Sequence, residues 1–114
     1  MAANSSIPAP ELAVRTDKNA DEAIVYGTGR ITLATSSLLQ TTIRGLIPEN
    51  KRILLDLANV TYIDSTGIGA LVSVYLSASK GQCDFKVVNA QPRVRDLFEI
   101  TKLRAIFEDM HESD

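Results

Sequence analysis

The residues with the most chemical potential in this chain are Asp64-Ser65-Thr66-Gly67: a carboxylate, two hydroxyls and a glycine in succession. They follow the apolar Ile63 and precede the clearest helical pattern of the sequence, so they fall where a strand ends and a helix opens. Asp64 or Ser65 suits the N-cap there, because a side-chain oxygen can accept one of the four N–H groups that a helix start leaves without partners. Those same N–H groups and the positive end of the helix dipole favour negative charge, so a phosphate on Ser65 would be well received. The position also lies beyond the carboxyl end of a strand, where open α/β sheets usually place function. Capping alone accounts for the four residues structurally. A functional reading needs more.

Other catalytic patterns are missing. There is no G-x-x-x-x-G-K-[ST] and no G-x-G-x-x-G, and Ser65 is not in a G-x-S-x-G elbow. Gly27-Thr28-Gly29 and Gly67-Ile68-Gly69 are bare G-x-G pairs that turns and close packing explain equally well. His111, the only histidine, stands near the end of the chain, a poor place for a rigid base. With Cys83 the only cysteine, there is no internal disulfide and no zinc-type ligand set, and neither metal nor cofactor is expected. Cys83 lacks a resolving partner and reads as a small residue at a strand entrance. Arg93, Arg95, Lys102 and Arg104 are interleaved with Asp96 and Glu99, the pattern of a solvated helix face rather than an anion site.

The elements that must hold Asp64 to Gly67 in place follow from periodicity. Leu12 and Val14 alternate with polar residues as a short strand, and Ala23–Gly27 forms a second after turn chemistry at 19–21, a connection longer than the tight hairpin types. Gly27, Gly29 and Arg30 read as a loop. Thr35 or Ser36 can cap a helix with Leu39, Ile43 and Leu46 on one face, ended by Pro48. Ile53-Leu54-Leu55 and Leu57 make a nearly continuous apolar run, as in a strand covered on both sides. The helix after Gly67 carries Ile68, Leu71, Val72, Tyr75, Leu76 and Ser79 as its stripe, with Lys80 and Gly81 as its stop. Phe85, Val87 and Val88 give a fourth strand, and Pro92 opens a third helix bearing Val94, Leu97 and Phe98. Leu103, Ala105, Ile106 and Phe107 suit a closing strand or a helix turn. The order β-β-α-β-α-β-α-β is that of an α/β domain whose right-handed crossovers build a mixed, mainly parallel sheet.

The chain has 114 residues, 45% of them hydrophobic, enough for one domain with a real core. Twelve basic against 14 acidic residues leave a formal net charge of −2, a poor electrostatic match to nucleic acid. No apolar run approaches the roughly 20 residues of a bilayer span, and Met1–Pro10 lacks the pattern of a secretory signal, so a cytoplasmic protein without membrane insertion is expected. Residues 1–10 read as a disordered lead-in, 11–108 as the domain and 109–114 as an acidic tail. Without a heptad or a large apolar stripe, a monomer is the expectation for the free chain.

Against that frame the chain shows a specific resemblance. Leu55-Asp56-Leu57, Val60, Ile63-Asp64-Ser65-Thr66-Gly67-Ile68 and Leu71 resemble the signature of the STAS domain, named for sulfate transporters and anti-sigma factor antagonists. Pro92, Val94, Leu97, Phe98, Ile100, Thr101, Leu103 and Phe107 are similar to that family's last helix and closing strand, so the likeness runs from about Glu11 to Glu108. It implies a single domain with about five strands and helices chiefly on one face. It also implies a bacterial, non-enzymatic switch that binds an anti-sigma factor, itself a serine kinase, and so frees a sigma factor for transcription. The implied phosphate acceptor is Ser65, reset by a separate phosphatase, with Asp64, Thr66 and Gly67 beside it in the partner surface.

One stretch departs from the family. Where acidic residues are usual after the second strand, this chain has Gly29-Arg30-Ile31-Thr32, so Arg30 and Thr32 enter the implied partner surface in their place. Arg30 is free to pair with Asp64 or to meet a phosphate on Ser65, and the sequence does not choose. Two other functions stand beside the switch. One is a scaffold subunit of a stress-sensing complex or a cytosolic subunit of a lipid transporter, on the same fold. The other is a small enzyme using Asp64 and Ser65 on a phosphoester, which lacks a histidine base or a metal cluster.

Overall fold

Ala23 and Val25 on one segment, and Ile53, Leu55 and Leu57 on another, are completely buried. Burial at every second residue is the mark of strands with one face on a core, and each such aliphatic side chain larger than alanine contributes about 1.5–3 kcal/mol. The structure, a computed structural model, describes residues 11–100. The expected lead-in at 1–10, the closing strand around Leu103–Phe107, the tail at 109–114, and Lys102, Arg104 and His111 lie outside the described residues.

In order, the elements are β1 (Leu12–Asn19), β2 (Glu22–Ile31), α1 (Ser36–Leu46), a 3₁₀ turn at Ile47–Glu49, β3 (Arg52–Ile63), α2 (Ser65–Lys80), β4 (Asp84–Val88) and α3 (Pro92–Ile100). The sheet runs β1-β2-β3-β4, with β1 antiparallel to β2 and the other pairs parallel. Ala23 lies beside Ile53 and Ile53 beside Phe85; Val25 lies beside Leu55 and Leu55 beside Val87. Two buried rows therefore cross three strands. Both parallel crossovers advance in the same direction, and right-handed connections then put α1 and α2 on the same face. Leu39 and Ile43 of α1, Leu71 and Val74 of α2, and Val94 and Phe98 of α3 complete the core. The mixed, mainly parallel α/β sheet is as expected. It has four strands among the described residues rather than about five.

Several local readings are corrected. The β1–β2 connection is a tight two-residue turn at Ala20-Asp21, since Asn19 pairs with Glu22. Both strands run into polar sequence because β1 is an exposed edge, and Ala20 takes a φ of 56° to close the turn. Gly27, Gly29 and Arg30 are part of β2, not a loop. The register shifts beside both glycines, and Gly29 has a φ of 123°. A Cβ on Gly29 would stand 2.1 Å from the Glu11 carbonyl oxygen, so the glycine marks a bulge with close backbone approach.

The buried face of α2 is Gly67, Ile68, Ala70, Leu71, Val74 and Ala78, while Leu76 and Ser79 are exposed. With apolar residues on most sides of this helix, the spacing alone set the stripe too far round. Gly81 keeps a negative φ of −86°, and the left-handed residue after α2 is Gln82. Glycine is needed at 81 for space: a Cβ there would lie 2.7 Å from Cγ2 of Ile47.

Strand lengths decide where the site stands. β4 pairs only with Arg52–Asp56 of β3, whereas β2 continues beside β3 as far as Ile63. The carboxyl end of β3 thus extends past β4 with β2 alone, and α2 starts from the tip of that extension.

Candidate functional site

Ile63, at 1% exposure, anchors the end of β3, and the Asp64 N–H donates to the Ile31 carbonyl at the end of β2 (3.1 Å). The chain then turns directly into α2. Of the two N-cap candidates, Asp64 takes the position: its backbone is extended, and its Oδ1 accepts from the Gly67 N–H at 2.8 Å. Its carbonyl accepts from the Ile68 N–H at 2.9 Å. Its second carboxylate oxygen, Oδ2, accepts from the Leu33 N–H at 3.2 Å. One side chain therefore ties the start of α2 to the β2–α1 turn.

Gly67 is required by the packing of this corner. A Cβ there would lie 2.5 Å from the Ile31 carbonyl oxygen and 2.7 Å from Cγ1 of Ile63. The helix end rests on the backbone of β2, and this close approach turns Ser65 and Thr66 outward. Both are exposed. No described residue accepts from their N–H groups, so the first turn keeps free donors beside the Ser65 hydroxyl. That arrangement can accept a phosphoryl group on Ser65 without displacing any hydrogen bond of the domain.

Thr32 lies in the facing turn. Its Oγ1 accepts from the Ala34 N–H (3.2 Å) and donates to Oε1 of Glu11 (3.3 Å). Its carbonyl accepts from the N–H groups of Thr35 and Ser36. Thr32 thus shapes the turn as well as bordering the site. Thr35 occupies the N-cap position of α1 but makes no side-chain cap. Its buried hydroxyl instead accepts from the Thr32 N–H and donates to the Arg30 carbonyl, each at 2.8 Å.

Arg30 is exposed on β2, paired in register with Tyr62 of β3. Its guanidinium carbon sits 5.1 Å from the centre of the Tyr62 ring, a cation–π contact. It forms no ion pair with Asp64 or with any other described residue. The structure therefore places Ser65, Thr66 and Gly67 in the first turn of α2 behind the Asp64 cap, with Thr32 in the turn that Asp64 ties to them through Leu33, and Arg30 on the flank. Leu33 and Tyr62 were missed by sequence reasoning. The one signal was an apolar Leu33 inside the polar run from Thr32 to Ser37, where periodicity assigned it no face.

Cys83 is buried, and its thiol pKa is pushed up by burial and then by the Asp84 charge, which makes it a packing residue rather than a nucleophile. A cleft of about 360 Å³, with Asp21, Asn50, Lys51 and Gln82 in its lining, lies at the opposite, amino-terminal end of β3. Among the described residues no group of three His, Cys, Asp or Glu side chains could hold a metal ion, and no helix is long and apolar enough to cross a membrane.

The family model for the STAS domain matches residues 12–113. The chain belongs to the STAS domain family. An anti-sigma-B factor antagonist of Listeria monocytogenes is 28% identical over 93 residues, which is 81% of this chain and 82% of that protein. The crystal structure of an anti-sigma factor antagonist from Mycobacterium paratuberculosis superposes with a TM-score of 0.76 at 23% identity, covering 89% of this chain and 87% of that one. The anti-sigma factor antagonist SpoIIAA in its unphosphorylated form gives 0.70 at 16% identity, with 80% and 82% covered. At such identities these structures establish the fold. This STAS domain shares their α/β architecture, and the roles of its site residues rest on its own geometry.

Proposed function

We propose that this STAS domain is an anti-sigma factor antagonist: a bacterial, cytoplasmic binding module that sequesters an anti-sigma factor while Ser65 carries a free hydroxyl. A phosphate on Ser65 ends the binding, and a separate phosphatase restores it. The observation that carries this reading is the Ser65 hydroxyl itself, exposed at the start of α2 beside an Asp64 carboxylate whose oxygens are already engaged. The names of the relatives agree with it.

The site works by binding rather than by turnover. Asp64 spends its oxygens on the backbone N–H groups of Gly67 and Leu33, so it is placed as a structural acceptor and not as a base for Ser65. A phosphate adds about −1.5 to −2 charges at neutral pH. Inside the domain, the free N–H groups of the first turn of α2 offset part of that charge. In an interface shaped for a neutral hydroxyl, the dianion must be desolvated next to Asp64, at a cost of several kcal/mol.

The test is a pull-down from the native cell followed by reconstitution with the purified anti-sigma factor kinase and ATP. A single phosphate on Ser65, and loss of the complex once it is added, is the expected result. Peptide mapping that puts the phosphate on Thr66 or Ser73, or a complex indifferent to phosphorylation, would overturn the reading.

A further inference from the structure

Leu33 is 75% exposed, the most exposed large apolar side chain among the described residues, yet its N–H and those of both flanking residues are hydrogen-bonded. Its N–H donates to Asp64, the flanking Ala34 N–H donates to the Thr32 hydroxyl, and the Thr32 N–H donates to the buried hydroxyl of Thr35. An exposed leucine on a loose loop is unremarkable; one fixed at the tip of a turn bonded across to the residue before Ser65 is pre-organised. At the same end of the sheet, Tyr62 is 42% exposed and carries Arg30, a cation with no carboxylate of its own among the described residues.

We propose that Leu33 is an apolar anchor for the protein partner, positioned by the Asp64 carboxylate, with Arg30 receiving a carboxylate of that partner. The proposal rests on the binding role argued above and names the chemistry of the partner face: an apolar socket rimmed by an acidic side chain. Charge complementarity supplies the rim, since an unpaired guanidinium spread over an aromatic ring selects an anion. Rigidity supplies the anchor, since little ordering is left to be lost when Leu33 enters a socket. Asp64 acts here as a positioning residue. It also connects the phosphosite to the anchor, because charge on Ser65 lies next to the carboxylate that holds Leu33.

The experiment has two arms. On the free protein, hydrogen exchange at the Leu33 amide is measured for wild type and Asp64→Asn. Asparagine keeps one oxygen for the Gly67 N–H but has no second acceptor, so exchange at Leu33 is expected to rise about tenfold while α2 and the melting temperature stay close to wild type. Unchanged exchange would overturn the positioning role. In the second arm, titration uses the purified kinase that phosphorylates Ser65. Leu33→Ala should weaken binding about tenfold or more, and Leu33→Met should retain most of the affinity. Leu76→Ala, also an exposed leucine (55%) but about 16 Å along α2 from Ser65, should change it by less than about twofold. Arg30→Glu should weaken it about tenfold. Equal losses for Leu33→Ala and Leu76→Ala, or wild-type affinity for Leu33→Ala, would overturn the anchor alone. Wild-type or tighter binding by Arg30→Glu would overturn the acidic rim. Failure of the wild-type chain to bind the kinase would remove the proposed function, and the anchor with it.

Discussion

Two helices in this domain begin on nearly the same chemistry, Thr35-Ser36-Ser37 at α1 and Asp64-Ser65-Thr66 at α2, and the fold uses them in opposite ways. At α1 the hydroxyls turn inward: Thr35 and Ser36 are buried, and Thr35 holds the backbone of Thr32 and Arg30. At α2 the glycine two residues after Ser65 seats the helix on the end of β2, the carboxylate caps it, and the hydroxyls turn outward. A hydroxyl at a helix start is structural when its neighbours need its hydrogen bonds, and available for modification when a neighbouring side chain has already made them.

That contrast can be broken experimentally. The largest effect should come from charge on the outward hydroxyl. Phosphorylation of Ser65 should weaken the partner complex on the order of a hundredfold, about 2.7 kcal/mol, as read by titration. Ser65→Asp should fall part of the way, while the melting temperature moves by no more than a few degrees. A Ser65→Asp variant that unfolds, or binds as tightly as Ser65→Ala, would place the effect in the fold instead of the interface.

Next come changes to the inward side and the seat of α2. Thr35→Val strands the Thr32 N–H and the Arg30 carbonyl, and should cost about 1–3 kcal/mol in denaturant unfolding. Gly67→Ala should cost a similar ~1–3 kcal/mol through overlap with Ile31 and Ile63, whereas Gly69→Ala, with open space around its Cβ, should be neutral or gain up to about 1 kcal/mol. If Gly67→Ala and Gly69→Ala behave alike, the close approach is not what orients Ser65.

Removing the cap by Asp64→Ala should cost about 0.5–2 kcal/mol, since the N-cap bond is lost along with the tie to Leu33. The smallest change is Ser65→Ala. Its hydroxyl bonds to no described residue, so unfolding should stay within about 0.5 kcal/mol of wild type while the partner still binds.

Much of the architecture was legible because it depends on local period. The run Ile53–Leu57 announces a strand, although Leu54 is only half-buried and one face rather than both lies on the core; Pro92 announces the start of α3, and the segment from Asp64 to Gly67 announces a capped helix. The errors share a cause. Gly27 and Gly29 signal loop in a one-dimensional reading, but they stand beside the register shifts of β2 against β3, and Gly29 also lets the chain at Glu11 and Leu12 come close. The stripe on α2 was misjudged because Val72, Tyr75 and Leu76 spread apolar side chains well past the buried face, so more than one stripe fits the spacing.

The sequence by itself determined the order of elements from β1 to α3 and the helix start that carries Ser65, since each follows from residues within a few positions of one another. Tertiary structure alone decided that Asp64 spans 31 residues to hold Leu33, that Arg30 stacks on Tyr62 instead of pairing with Asp64, and that the hydroxyl at 65 faces outward while that at 35 faces in. The physical reason is that exposure and hydrogen-bond occupancy belong to a residue's neighbours in space. Those neighbours were set here by how far β2 and β3 run on together past β4.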